Sequence, residues 1–241
     1  MHYSVLLLRS VLFQTLFSFG IVFFGILVVV AGPFRSRQGR WKIARAWGGY
    51  NVAILRLTCG IRHRIEGVEN LPEPPFIILS KHQSAWETVT FPALFPPIVY
   101  VLKKSLKYIP FFGWALWVTQ QIFIDRDQKM EAMRRLRKEC RRAVDDGFCM
   151  VIFPEGTRVA YGEVGEFKRG GIAIAAATKA PLVPVAHNAG TLWGPNAFLK
   201  RPGEITVRIG KPIASTGLDR KGRGELPGKV AQEIESLMQG L

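Results

Sequence analysis

The chain has 241 residues, 48% of them hydrophobic, and 33 Lys or Arg outnumber 18 Asp or Glu for a net charge of +15. That length accommodates one α/β domain with a substantial core plus an appended segment, and the apolar content excludes a disordered or low-complexity chain. Three cysteines, Cys59, Cys140 and Cys149, form no C-x-x-C pair, which argues against a disulfide scaffold or a structural zinc site and suits a reducing compartment.

The basic excess sits mainly at the N-terminus. No Asp or Glu precedes Glu66, while residues 1–65 hold nine Lys or Arg. Ser10 to Phe34 runs for 25 residues without a charge, and about 20 apolar residues span a bilayer core as a helix. Arg35, Arg37, Arg40, Lys42 and Arg45 follow it, against Arg9 alone before it. This bias predicts that the bulk of the chain lies in the cytoplasm. The apolar region of a cleaved signal peptide is about 7–15 residues, so this run is too long for one. Gly20 and Gly25 interrupt it, and Trp41–Ile61 is a second apolar stretch with basic residues interspersed. The same residues therefore also fit a helical hairpin dipped into one leaflet. Span and re-entrant anchor both remain open at this point. Either brings the following domain to an anionic surface, where each nearby basic residue contributes about 1 kcal/mol.

Short apolar runs then alternate with helical stretches. Phe76–Ser80, Ile98–Leu102, Ile122–Asp125, Phe148–Phe153 and Leu182–Ala186 read as buried strands. Thr206–Ile209 reads as a sixth, its alternation suggesting an edge. Helices are expected at 85–95, 128–146, 167–179 and 227–239, with 217–228 a polar, Gly-rich loop. This order predicts an α/β fold: a mixed, largely parallel sheet flanked by helices, over residues 65–241. The membrane-anchoring helix or helical hairpin occupies 1–64. Phe111–Trp117 is unusually aromatic and fits either a membrane-interface surface or a buried helix. The charge-rich stretch 126–146 has eight basic and five acidic residues. It reads as a solvated face or a dock for an acidic carrier protein or coenzyme A phosphates. Cys140 lies in it among Arg and Lys, which lower a thiol pKa. No His or Asn completes a cysteine-nucleophile site there, so it reads as a helix residue.

Three segments can do chemistry. Ser80-Lys81-His82-Gln83-Ser84-Ala85-Trp86-Glu87 places a histidine beyond a strand end, where α/β folds bind ligands. Five residues along a regular helix separate side chains by about 140°. His82 and Glu87 can meet only if His82 lies on the loop and Glu87 in the first helical turn. The carboxylate would then hold the imidazole as a general base requires. Ser84-x-x-Glu87 also reads as a capping box with no chemical role. Phe153-Pro154-Glu155-Gly156-Thr157-Arg158 runs from a strand into a sharp turn. Gly156 permits close backbone approach, Glu155 can accept from a hydroxyl, and Arg158 can bind a phosphate bidentately. Arg126, at the end of Ile122-Phe123-Ile124-Asp125-Arg126, is a second phosphate candidate. An ordinary Pro-Gly turn and a solvated ion pair are the bland alternatives.

In that order, His82-x-x-x-x-Glu87, Phe123-Ile124-Asp125-Arg126, Phe153-Pro154-Glu155-Gly156-Thr157-Arg158 and Val183-Pro184-Val185 closely resemble the four blocks of the glycerolipid acyltransferases. The likeness is specifically to the 1-acylglycerol-3-phosphate acyltransferases and covers roughly Phe76 to Gly190. The first block usually ends in Asp; here it ends in Glu87, whose longer side chain still reaches an imidazole. The resemblance implies acyl transfer from an acyl thioester, on coenzyme A or acyl carrier protein, to the free hydroxyl of lysophosphatidic acid, giving phosphatidic acid. It implies His82 as base, Glu87 as its orienter, Arg158 and Arg126 on the acceptor phosphate, and Glu155 positioning the glycerol. Gly156 and Thr157 belong to the same substrate-binding turn, Lys104 adds charge there, and Pro184 shapes the acyl-donor region. Backbone N–H groups at Gly156 or near Gln83 are the candidate oxyanion donors. His187 could face the site but reads better as structural. No cofactor or metal is expected. The expected location is a bacterial inner membrane, with the catalytic part cytoplasmic and membrane lipid as partner. Other acceptors, such as glycerol 3-phosphate, dihydroxyacetone phosphate or another lysophospholipid, share these blocks. A hydrolase using the dyad on water lacks a Gly-x-Ser-x-Gly elbow. The pI of 10.2 also invites a non-catalytic basic protein at a membrane or on nucleic acid. The basic residues flank an anchor, however, and form no stripe interleaved with aromatics, so a nucleic-acid partner is not expected.

Overall fold

The computed structural model describes residues 2–124, 129–163 and 165–241. Asp125 and Arg126 lie outside the described residues. Helix α1, Tyr3–Ala31, turns at Gly32–Ser36 into α2, Arg37–Ile54, which is capped by the Ser36 hydroxyl accepting the Gly39 N–H at 3.1 Å. The two helices form an antiparallel pair, tied where the Tyr50 hydroxyl donates to the Leu16 carbonyl at 2.7 Å. Gly20 and Gly25 are points of close approach. A Cβ at Gly20 would stand 2.4 Å from the Tyr50 ring, and one at Gly25 3.0 Å from Phe111. Tyr3–Phe34 is long and apolar enough to cross a membrane, with a mean hydropathy of 2.4 and 22% burial. Leu8, Phe19, Phe23 and Val30 face outward. The inward side packs on the body of the protein, with Phe13 edge-on to Trp193 at 5.4 Å and the Ser10 hydroxyl accepting the Lys200 N–H at 3.0 Å.

A π-helical turn, Leu55–Cys59, leads into the sheet. Its strands are β1 Ile61–Glu66, β2 Ile77–Ser80, β3 Ile98–Lys103, β4 Ile122–Ile124, β5 Cys149–Ile152, β6 Leu182–His187 and β7 Gly203–Ile209. They lie in the order β1-β7-β6-β2-β5-β3-β4. From β6 to β4 all neighbours are parallel; β7 runs antiparallel to β6, and β1 pairs parallel to β7. The mixed, largely parallel sheet is therefore as expected. The edge assignment is not: β7 lies between β6 and β1. Its alternation arises because Ile205, Val207 and Ile209 are buried on one face while Arg208 pairs with Glu66 of β1 at 2.8 Å on the other. The polar residues Arg62, His63 and Arg64 disguise β1, which also straddles the expected boundary at 64/65.

Helices cover both faces. On one lie α1, α2 and α3, Trp86–Leu94, around Phe13, Phe76, Ile78, Phe91 and Val151. Then come α4, Phe112–Val118, and α5, Lys129–Asp145. The second face is covered by α5, α6, Arg169–Ala177, and, after the short turn α7, Ala189–Leu192, by α8, Arg220–Met238. Ile77, Leu79 and Met150 fill that core. Strands buried on both faces need continuous apolar runs, which is why they are legible in the sequence. The expected loop at 217–228 is in fact mostly helix. The Asp219 carboxylate accepts the Gly222 N–H at 2.7 Å, and Leu226, Val230 and Ile234 bury a stripe of α8 that outweighs its poor glycine and proline propensity. In α4, Trp114 is 48% and Trp117 61% exposed, so this helix is not a buried one.

All three cysteines are buried. Burial pushes the Cys140 thiol up to about 12 and that of Cys149 up to about 11, against the lowering expected from the basic neighbours of Cys140. The native protein is expected to resist alkylation at these thiols at mildly alkaline pH and to react at three sites once denatured, as counted by mass spectrometry.

Candidate active site

The candidate site lies at the carboxyl ends of three neighbouring strands, β6, β2 and β5. Beyond Ser80 the chain leaves β2 as a loop, and α3 begins at Trp86, so Glu87 stands in the first turn. The Glu87 carboxylate is fully buried. Its Oε1 accepts from His82 Nδ1 at 2.8 Å, from the Gln83 N–H at 3.0 Å and from the Ser84 N–H at 2.9 Å. Ser84 Oγ in turn accepts the Trp86 N–H at 3.1 Å. The capping box and the imidazole orienter, set against each other in the sequence, are one carboxylate. Burial alone would raise the Glu87 carboxyl. The His82 hydrogen bond, the two imidazoles facing it and the Ser84 N–H outweigh that and hold it below its ordinary value. An ionised Glu87 only accepts, so Nδ1 of His82 carries a proton, and in the neutral ring the lone pair is on Nε2. The ring is fixed on its flat side by Phe153, stacked at 4.0 Å. Behind Phe153, Tyr100 donates its hydroxyl to the Glu87 carbonyl at 3.2 Å.

The turn after β5 braces the same loop. Glu155, 2% exposed, accepts the His82 N–H on Oε2 at 2.8 Å and Lys81 Nζ on Oε1 at 2.5 Å. Lys81 Nζ also reaches the Glu163 carbonyl at 3.3 Å, and the His82 carbonyl accepts the Val159 N–H at 2.8 Å. Both Glu155 oxygens thus hold the loop that carries His82. Gly156 takes φ +69°, and its N–H donates to the Phe153 carbonyl at 3.0 Å. With the Gln83 N–H on Glu87, both backbone groups expected to serve as oxyanion donors are engaged elsewhere.

Thr157 is exposed, and Arg158 is half-buried with its Nε lacking a hydrogen-bond partner among the described residues. Lys168 ties its N–H to the Pro154 carbonyl at 2.9 Å, and its Nζ would stand 3.3 Å from a Cβ on Gly156. Lys104 is exposed on the turn Lys104–Tyr108 that follows β3, at the same end of the sheet. Pro184 lies inside β6, buried, opposite Leu79 of β2. Its carbonyl accepts the Gly210 N–H at 2.9 Å, and the N–H it lacks falls just beyond the start of the β6–β7 ladder. His187, at the end of β6, is fully buried. Arg126, as above, lies outside the described residues. Sequence reasoning misses Lys81, Phe153, Tyr100 and Lys168 as site residues. For Lys168 the signal is a cation just after the glycine-rich turn; Lys81 and Glu155 are 74 residues apart. Among the described residues no group of three or more His, Cys, Asp or Glu side chains is placed to hold a metal ion.

Residues 62–188 match the Acyltransferase family. The chain is 39% identical over 98% of its length to the 1-acyl-sn-glycerol-3-phosphate acyltransferase of Pseudomonas aeruginosa, covering 92% of that protein. It is 34% identical over 94% of its length to the enzyme of the same name from Saccharomyces cerevisiae, covering 75% of it. The crystal structure of the 1-acyl-sn-glycerophosphate acyltransferase PlsC from Thermotoga maritima shares the fold with a TM-score of 0.78 at 24% identity, over 98% of this chain and 97% of that one.

Lys81→Met leaves the Glu155 carboxylate buried without its cation. Removing one partner of such a pair costs about 3–5 kcal/mol. A clear fall in the thermal unfolding midpoint is expected, partly recovered in the double variant Lys81→Met/Glu155→Gln.

Proposed function

The chain belongs to the acyltransferase family, and we propose that it acylates the free hydroxyl of lysophosphatidic acid from an acyl thioester to make phosphatidic acid. The observation that carries this reading is the oriented imidazole. Its Nδ1 is held at 2.8 Å by a buried, ionised Glu87, which puts the lone pair of the neutral ring on Nε2, while on the adjoining turn Arg158 Nε has no hydrogen-bond partner among the described residues.

Nε2 of His82 takes the proton of the acceptor hydroxyl as its oxygen attacks the thioester carbonyl. The new C–O bond forms a tetrahedral intermediate, which collapses with cleavage of the C–S bond. The thiolate leaves and recovers the proton from His82. Glu87 stabilises the imidazolium formed on the way. No acyl-enzyme is needed, because a thiolate is a good leaving group. Arg158 binds the acceptor phosphate, with Lys104, Arg126 and Lys168 adding positive charge and Gly156 and Thr157 forming the turn it approaches. Glu155 acts through the loop, holding Lys81 and the His82 backbone. Pro184 shapes the sheet behind the acyl-donor region.

The acyl chains need an apolar path. A cavity between α1, α2, α3 and α4 is lined by Phe24, Val28, Trp41, Trp47, Val89 and Tyr100. Tyr100, in the wall of this cavity, donates its hydroxyl to the Glu87 carbonyl, so the proposed acyl path borders the residue that orients His82. The outward stripe of α1 and the exposed Trp114 and Trp117 suit a lipid interface. The reading is of a protein seated on the cytoplasmic face of a bacterial inner membrane. The donor is acyl-coenzyme A or acyl carrier protein; exposed Arg134, Arg137 and Lys138 on α5 suit either polyanion.

The test is phosphatidic acid formation by detergent-solubilised protein given lysophosphatidic acid and each donor in turn. His82→Ala is expected to lose about 10²–10⁴-fold in kcat; activity within a few-fold of wild type would sink the mechanism. Arg158→Ala is expected to raise the acceptor KM more than it lowers kcat. An equal loss with a phosphate-free acceptor would contradict its role.

A further inference from the structure

His187 is a fully buried histidine closing an apolar strand, Leu182–His187. Packing alone does not ask for a polar ring there, since burying imidazole nitrogens costs free energy unless each finds a partner. Both do. Nε2 donates to the Lys81 carbonyl at 3.0 Å, and Nδ1 accepts the Ala189 N–H at 3.3 Å. That pair of bonds defines the neutral tautomer with its proton on Nε2. Burial also lowers the affinity of this imidazole for a second proton, against the raising effect of Glu87.

The same Nε2 stands 3.9 Å from Oε2 of Glu87. That oxygen is buried and has no hydrogen-bond partner among the described residues, while its twin Oε1 receives three donors. A buried carboxylate oxygen depends on the polar groups around it. His187 is the polar ring placed on it, and the rings of Trp86 at 5.9 Å and Phe91 at 6.2 Å flank that imidazole.

We propose that His187 is a positioning residue of the catalytic centre: its Nε2–H fixes the Lys81 carbonyl and faces the free oxygen of Glu87, so that one ring sets both the loop carrying His82 and the angle at which Glu87 meets His82. This inference rests on the reading of His82 as the base. Lys81 is held at both ends, with the side chain on Glu155 and the carbonyl on His187. The loop is therefore clamped between β5 and β6, and His187 is the β6 jaw.

The experiment compares wild type with His187→Leu, His187→Gln and His187→Asn, with His82→Ala alongside, in two readouts. The first is steady-state kinetics. The second is the downfield proton resonance of His82 Nδ1–H in its bond to Glu87, identified by its absence in His82→Ala. His187→Leu is expected to lower kcat between about ten- and a hundredfold with little change in either KM, because a small misplacement of a catalytic group is enough to do so. It should also move the Nδ1–H resonance upfield. His187→Gln, whose amide reaches the Lys81 carbonyl, should recover both, and the shorter Asn should not. If His187→Leu does not fold, the contrast between Gln and Asn decides alone. Full activity of His187→Leu, or of His187→Asn in its place, beside an inactive His82→Ala overturns this inference and leaves the base in place. Losses of equal size in all three His187 variants with an unmoved resonance also overturn it, because that is the signature of packing. An active His82→Ala overturns the base and this inference together.

Discussion

A carboxylate taken out of water must be met by donors, and the catalytic end of this sheet is built around two that have been. Glu87 and Glu155 are 0% and 2% exposed. The four residues from Lys81 to Ser84 supply them with five donors: the Lys81 ammonium, the N–H and Nδ1–H of His82, and the N–H groups of Gln83 and Ser84. Few loop conformations aim all five correctly. The position of the His82 imidazole follows from this electrostatic requirement more than from any packing of the ring itself. An imidazole held in this way is ordered before substrate arrives, which is the preorganisation that the proposed base role requires.

The sheet makes that arrangement possible. β2 lies between β5 and β6, so the loop at its end is reached from both sides by segments far away in sequence. From β5 come Phe153 and Glu155; from β6 comes His187. From β3, one strand further, Tyr100 reaches the Glu87 carbonyl. Parallel neighbours send all their carboxyl ends the same way, which is why residues from four strands converge.

What the sequence discloses and what it conceals divide along physical lines. Runs such as Phe76-Ile77-Ile78-Leu79 declare themselves, because a strand buried on both faces has no choice of residue. β1 does not, since Arg62 and Arg64 look out and Arg64 pairs with Glu66 and Glu204. The N-terminal half of α8 does not, because local propensity speaks for a loop and the buried Leu226–Val230–Ile234 stripe speaks for a helix only once the sheet is there to cover it. His82 and Glu87 are legible as a pair within one short segment. The pairing of Lys81 with Glu155 is not: Glu155 stands out in its own motif, but its union with Lys81 is a tertiary event. Gly20 and Gly25, which read as breaks in an apolar run, turn out to be where Tyr50 and Phe111 of other segments lie close against α1.

The seating of α1 has a consequence for how this protein comes to exist at all. Phe13 is completely buried and belongs to the same apolar cluster as Phe76 and Val151 of the sheet region. The ammonium of Lys200 is enclosed by Phe13, Trp193 and Phe198, with ring centres 4.8–5.0 Å away. A helix of 29 residues therefore contributes one flank to the interior and the other to the surroundings. Chain shortened past this helix would expose a cation stripped of an aromatic wall and a core open on one side. The native interior is therefore complete only when this helix is in place, and the segment that closes the core is the same one whose outer flank is apolar enough for a nonpolar phase.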